Sequence, residues 1–500
     1  MSKRAYLAFD LGAESGRAIV GILSDGKLEL HELHRFLNTP QRLPHGIHWS
    51  LMDLWSNLLQ GLEKAGRFAD ENDLELVSLG VDTWGVDFGL IGKSGQLMGL
   101  PFTYRDERNQ PAMDKTVDKL GAKAIYAATG IQFMPFNSLF QLVAQHDAEP
   151  SLVDNADKLL FIPDLLHYFF SGKAVIESTI ASTSQMIDPR SEDRGWATKL
   201  IEDAGLPTHL LGEIVQPGAK IGAILPQVAA EANVSESIQV VAPATHDTAS
   251  AIAAVPAKPG ADNWAYISSG TWSLMGVELP EPHITEAGRE ANITNEGGVD
   301  NTIRYLTNIA GLWLVQECRR YYEKQGITYD YNKLTQLAAE AEPFRTIVDP
   351  DHAPFIAPGR MPEKLAEFAK ATNQPIPEEV GQFVRCCLES LALTYRHTLD
   401  KIESVLDRKY EVIHIVGGGG RNELLDQMTA NATGCEVIVG PYEATAVGNL
   451  LVQAMGMGDV DGLAGIREVV VSSFDPKSFK PVDTADWDAA YERYLAIKNR

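Results

Sequence analysis

Apolar residues alternate with other residues through positions 5–9 and again through 17–23, and a short turn of small residues separates the two runs. A period of two predicts strands, and two strands flanking a tight turn predict a β-hairpin. Residues 51–72 change to helical spacing and lead into an apolar strand at 76–81. From 122 to 211 the spacing is mostly helical with polar loops. A strand at 239–241 then runs through Pro243, His246 and Asp247 into a helix of small residues beginning near Thr248. Residues 255–263 lack periodicity and hold Pro256, Pro259 and Gly260, which predicts a linker. Beyond it YISSGTWSLMGVEL, at 266–279, repeats the strand–turn–strand design of the opening LAFDLGAESGRAIVGIL. Later, EVIHIVGGGGRNELLDQMTANATG predicts a buried strand, a four-glycine turn and an amphipathic helix. The repeated hairpin points to an internal duplication and to domains at 1–255 and 256–500.

Length agrees with that division, because 500 residues exceed what one core usually organises. A formal net charge of -24 disfavours nucleic acid as a partner, since its phosphates require clustered Lys and Arg. The same charge is compatible with an anionic nucleotide, because backbone amides and a bound Mg²⁺ hold phosphates locally. The four cysteines have no CxxC spacing, which fits reduced thiols. The apolar run after Lys3 and Arg4 ends at Asp10, too soon for a signal peptide, and no later run approaches the ~20 residues of a membrane span. A soluble cytoplasmic protein without membrane or nucleic-acid partners is expected.

Five segments carry candidate chemistry. In FDLGAESGR, Gly12 and Gly16 permit a tight turn whose amides face a phosphate, and Asp10 stands at a strand end where it can hold Mg²⁺; an ordinary hairpin turn would look the same. SSGTW at 268–272 offers small donors in the second hairpin. The four glycines 417–420 cost roughly 0.5–1 kcal/mol each against alanine, so a flat surface for an adenine or ribose is the favoured reading. In PATHDTASA, Asp247 beside a helix start is kept ionised as a hydroxyl's proton acceptor needs, although a simple helix cap is the commoner use. In VDTWGVDFGL, Asp82 and Asp87 bracket Trp84 and Gly85, and carboxylates beside an aromatic face suit a neutral polyol.

Taken in order, these segments resemble the FGGY carbohydrate kinases of the actin/hexokinase-like ATPase superfamily. The resemblance runs from residue 9 to about 449 and includes VDTWGVDF, GLPFTYRDER, GIQFMPFNSLFQL, PATHDTASA, ISSGTWSLMG, ANITNEGG and NIAGLWLVQE. It implies an α/β fold of two ribonuclease-H-like (actin-like ATPase) domains around a central cleft. It also implies transfer of the γ-phosphoryl group of ATP, with Mg²⁺, to a small ketose, L-rhamnulose at its 1-hydroxyl, with another ketose or a non-catalytic actin-like ATPase as rivals. By the same resemblance Ala13, Glu14, Ser15, Gly16 and Arg17 form the phosphate loop, with Asp10 near the metal. Thr271, Gln316 and Gly418 contact ATP. Gly85, His246, Asp247, Thr248 and Asn308 line the sugar site, and Asp247 is the proton acceptor. Trp84, Phe88, Phe133 and Phe136 are the expected apolar surface for a sugar methyl group. Many family members carry Lys and Trp near the segment where this chain has Asn137, Ser138 and Gln141. Glu14 puts an acid in the phosphate loop, so its side chain must point away from the phosphates.

Overall fold

The computed structural model describes residues 3–498 except 192 and 259. The chain falls into two compact units. The first holds the chain up to Ala254 together with Glu278–Tyr305 and Ala444–Phe474; the second holds Val255–Val277, Leu306–Glu443 and everything from Asp475 onward. The first break lies at Ala254, and two later segments return to the first unit, which a division at one point along the chain does not describe. Pro259 of the linker segment lies outside the described residues.

Strand Lys3–Leu11 is the centre of the first unit's sheet. It pairs antiparallel with Ser15–Ser24, which pairs antiparallel with Lys27–Leu37. On its other side it runs parallel to Leu74–Thr83, followed by Gln239–Val241 and Lys220–Ala223. Ala5 through Leu11 are buried without a break, as expected of a central strand covered on both faces. Helix Leu51–Glu71 buries Leu51, Leu54, Leu58, Leu62, Ala65 and Ala69, the three-and-four spacing that the sequence displays. Strand Lys27–Leu37 was not expected. Its charged residues Lys27, Glu29, Glu32 and Arg35 are exposed at the edge of the sheet, which masks the alternation and also discourages pairing with other chains. Strand Ala156–Phe161 interrupts the stretch predicted as mostly helical and pairs antiparallel with Phe88–Gly92.

The small-residue helix predicted near Thr248 is Asp247–Ala253, and its composition has a packing reason. It lies so close to helix Ala444–Met457 that a Cβ added at Gly448 would sit 1.8 Å from the Ser250 carbonyl oxygen.

The second sheet has seven strands, in the order Thr294–Gly297, Ile303–Ala310, Trp272–Leu279, Trp264–Ser269, Val412–Val416, Glu436–Val439, Lys477–Phe479. Trp264–Ser269 is antiparallel to Trp272–Leu279 and parallel to Val412–Val416. Each sheet thus sets a hairpin's first strand beside a parallel neighbour and stacks the second and third strands outward, the common order that a duplicated unit requires. Helix Val380–Leu406 packs Leu388, Leu391, Leu399 and Ile402 into the second unit's interior. All four cysteines are buried and free. Among the described residues no helix is long and apolar enough to cross a membrane.

Candidate active site

Pairing register gathers the acids of the first unit. Asp10 is the partner of Arg17 across the hairpin and of Asp82 across the parallel pair. The Arg17 guanidinium is ion-paired with Asp10. Between them the turn closes through the Gly12 amide, which donates to the Ser15 carbonyl at 2.9 Å, and Asn38 donates from its side chain to the Gly12 carbonyl at 3.0 Å. A Cβ at Gly16 would overlap the Phe36 ring at 2.4 Å, so that glycine serves close packing. Glu14 is exposed. Asp82 is fully buried; burial first, then the Asp10 carboxylate, pushes its carboxyl well above the usual range, while the Asn449 amide opposes the shift. Asp82 Oδ1 has no hydrogen-bond partner among the described residues.

The segment Trp84–Gly85–Val86–Asp87 does something different from what its residue types suggest. The Asp87 carboxylate is buried and accepts from Trp49 Nε1 (2.7 Å), Trp84 Nε1 (2.9 Å), Gln141 Nε2 (2.8 Å) and the Tyr104 amide (3.1 Å). Asp82 is likewise enclosed. Neither acid is therefore presented to a polyol; the two tie the strand end together. Trp84 is also buried, its ring tilted by 37° against that of Trp49 with centroids 4.0 Å apart, and Phe88 lies in the core. Of the four aromatic residues expected to face a sugar methyl group, only Phe133 and Phe136 are half-buried.

Val86 has a φ of 69°, a left-handed conformation that a β-branched residue adopts at a cost of roughly 1–3 kcal/mol. Its amide donates to Thr183 Oγ1 at 3.1 Å, and its carbonyl accepts from Ser138 Oγ at 2.5 Å. Ser138 and Gln141, two of the polar residues that stand where many family members differ, thus clamp this turn. The clamp fixes Gly85, where an added Cβ would lie 3.3 Å from His246 Nε2.

His246 precedes the helix Asp247–Ala253, and the loop leading to it is held by a carboxylate that motif reading missed. Glu177, completely buried, accepts from the Thr245 amide (3.0 Å), Thr245 Oγ1 (2.6 Å) and the Thr179 amide (2.7 Å). Thr179 Oγ1 in turn accepts from the His246 amide at 3.2 Å. His246 Nε2 lies 3.4 Å from Asp247 Oδ1, and Nδ1 lies 3.4 Å from Glu296 Oε2. About a third of the Asp247 side chain is exposed, unlike that of Asp10 or Asp82, so its carboxylate is open to a ligand. The Thr248 amide donates to Asp247 Oδ1 at 2.5 Å.

In the second unit, Thr271 occupies the turn between Trp264–Ser269 and Trp272–Leu279, and Gln316 Nε2 donates to its hydroxyl at 3.2 Å. Gln316 Oε1 is buried without a hydrogen-bond partner among the described residues. Of the four glycines, three answer to packing. A Cβ at Gly417 would lie 2.8 Å from the Ser269 carbonyl oxygen, at Gly419 2.1 Å from Ser269 Oγ, and at Gly420 2.7 Å from Val439 Cγ1. Only at Gly418 would it meet nothing within 4 Å. Asn308 stands on strand Ile303–Ala310 in the same unit as Thr271, Gln316 and Gly418, whereas Gly85, His246, Asp247 and Thr248 belong to the first.

Comparison with known families decides the assignment. The N-terminal domain of the FGGY family of carbohydrate kinases matches residues 5–254, and its C-terminal domain matches 265–457. The chain belongs to the FGGY family of carbohydrate kinases. A rhamnulokinase of Bacteroides thetaiotaomicron is 43% identical to this kinase over 489 residues, 98% of each chain. A rhamnulokinase of Bacillus subtilis is 38% identical over 96% of each. Among solved structures, a gluconate kinase from Lactobacillus acidophilus superposes with a TM-score of 0.82 at 13% identity, covering 100% of this chain and 98% of that one. Plasmodium falciparum glycerol kinase with ADP gives 0.77 at 16% identity over 99% of each. These structures establish that the chain has the fold of those kinases.

In the kinase, the residues that sequence reasoning missed are the ones that hold others in place: Glu177, Thr179, Thr183, Glu296 and Asn449. Glu296 lies within ANITNEGG, one of the stretches that carried the resemblance, but nothing local indicates that it meets His246.

Proposed function

We propose that this kinase transfers the γ-phosphoryl group of ATP to the 1-hydroxyl of L-rhamnulose, giving L-rhamnulose 1-phosphate. Support for the substrate comes from the relatives named rhamnulokinase, 36–43% identical over nearly the whole chain. The observation that carries the chemistry is the His246–Asp247 pair, a partly exposed carboxylate held beside an imidazole by a buried hydrogen-bonded loop. Asp247 takes the proton of the 1-hydroxyl as that oxygen bonds to the γ-phosphorus and the bond to ADP breaks. Gly85, His246, Thr248 and Asn308 line the sugar site in this reading. Ala13 to Arg17 receive the phosphates, with Glu14 turned outward, and Thr271, Gln316 and Gly418 receive the rest of the nucleotide; the partnerless Gln316 oxygen and the open space at Gly418 favour that role.

The family chemistry implies Mg²⁺. The donors fit it: Asp10 sits at the strand end beside Asp82, whose Oδ1 has no partner among the described residues, and Mg²⁺ usually takes one or two carboxylates with substrate phosphates and water. Asp10, with Asp82 behind it, would hold the ion, which would neutralise charge on the transferring group. The partner is thus a small ketose, and a cytoplasmic location with neither membrane nor nucleic acid as partner is part of this proposal.

A coupled ADP-release assay over L-rhamnulose, L-fuculose, L-xylulose, L-ribulose and D-fructose tests it. L-Rhamnulose should give the highest kcat/KM, with stereochemistry at C3 and C4 weighing more than the methyl group. A buried methyl discriminates by only roughly 1–3 kcal/mol, whereas a mispaired hydroxyl leaves buried polar groups unsatisfied. A higher value for another ketose would replace the named substrate; no sugar-dependent ADP release at all would remove the proposal.

A further inference from the structure

A buried charged chain reaches His246 from the side away from Asp247. Arg304 is completely buried, donates from Nε to the Gly297 carbonyl at 2.8 Å, and pairs through Nη1 with Glu296 Oε2 at 3.1 Å. Glu296 itself is buried, and the same Oε2 faces His246 Nδ1 at 3.4 Å. Burial alone would push the Glu296 carboxyl up; the Arg304 guanidinium, and after it His246, outweigh that and bring it below its ordinary value. Glu296 is therefore an ionised group that can only accept hydrogen bonds. A nitrogen facing such a group is stabilised only when it carries a proton, and which imidazole nitrogen carries the proton is set by the partner of the other.

We propose that Glu296, braced by Arg304, is a positioning residue that fixes a proton on His246 Nδ1. Nε2 is then the only nitrogen of the ring whose state can change, and it is the one 3.4 Å from Asp247 and next to Gly85. A ring flipped about its Cβ–Cγ bond would set Cδ2–H against Glu296 in place of Nδ1. This inference rests on the reading of His246 and Asp247 as the sugar end of the site. It deepens that reading by saying what orients the imidazole.

The direct test uses the intact, unmutated protein with ¹⁵N-labelled histidine. Long-range ¹H–¹⁵N correlation reports which nitrogen is protonated, and His246 is assigned by the resonance lost in His246→Gln. A proton on Nδ1 is expected; a bare Nδ1 with the proton on Nε2 overturns the proposal. This measurement needs no turnover, so it stands or falls apart from the choice of sugar. In Glu296→Gln the Nδ1 preference should be lost, and kcat/KM for the sugar should fall by about 10²-fold, the usual effect of a misplaced catalytic neighbour. ADP affinity should stay within about twofold of the parent, and Glu296→Asp should recover part of the lost activity. Unchanged tautomer and unchanged kcat/KM in Glu296→Gln would refute the assignment. If stranding Arg304 prevents that variant from folding, the tautomer in the unmutated protein alone decides.

Discussion

Asn449 Nδ2 donates to Asp82 Oδ2 at 2.6 Å, a hydrogen bond between two fully buried side chains 367 positions apart. It fastens helix Ala444–Met457 to the end of strand Leu74–Thr83, where Asp10 and Asp82 stand together. Gln453, one turn further along, donates to Asn449 Oδ1 at 2.6 Å and accepts from Ser78 Oγ at 2.7 Å. Removing the donor from Asp82 leaves a buried carboxyl with less support. Asn449→Ala should lower the free energy of unfolding by about 1–3 kcal/mol, the cost of a buried polar group left unpaired. Urea unfolding followed by fluorescence reads this as a lower midpoint with an unchanged slope.

Asp247→Asn should abolish turnover while leaving the fold and ADP binding intact. The change is nearly isosteric and removes only the proton acceptor, worth typically ~10²–10⁴-fold. Steady-state kinetics beside calorimetric titration with ADP separate the two effects. Near-normal kcat would reassign the base.

The glycine turn gives a paired test. Gly418→Ala adds a methyl group where no atom beyond its neighbours in the chain lies within 4 Å, so its unfolding midpoint should match the parent while ADP affinity drops. Gly419→Ala pushes against Ser269 Oγ and should cost about 1–3 kcal/mol of stability by overpacking. Thr271→Val, which keeps shape and deletes the hydroxyl that Gln316 contacts, should weaken ADP more than sugar. Titrations with each ligand and thermal melts distinguish these outcomes; equal losses for both ligands would point to general destabilisation.

Asp87 should leave a mark on the pH dependence of stability. Burial raises its pKa to about 6, and the four donors only partly offset this. Because the folded state holds that proton more tightly than the unfolded chain, the contribution of Asp87 to stability is largest at low pH. It falls as pH rises to about 6 and is level above that value. Asp87→Asn lacks this dependence, so the stability of the parent relative to the variant should rise on going from pH 7 to pH 4.5. The rise should amount to about 2 kcal/mol, at ~1.4 kcal/mol per unit. A parent that loses stability relative to the variant toward acid pH would contradict the burial argument.

The sequence by itself determined the two hairpins, the amphipathic helix Leu51–Glu71, the strand leading to His246 and Asp247, and the family. Each is written in contiguous residues, because period-two and period-3.6 burial and the turn chemistry of glycine act over a few positions. The tertiary structure decided what those residues are for. Asp87 and Trp84 have the composition of a sugar-binding edge, yet their polar atoms are spent on one another and on Trp49 and Gln141. Three of the four glycines that suggested a ligand surface make room for Ser269 and Val439 instead. Glu177, Glu296 and Asn449 act through partners 68, 50 and 367 residues away. Such pairings are set by how strands and helices close around a core, and local periodicity carries no record of them. The chemistry of a side chain is a local property, but whether that chemistry is available to a ligand depends on which distant groups have already satisfied it.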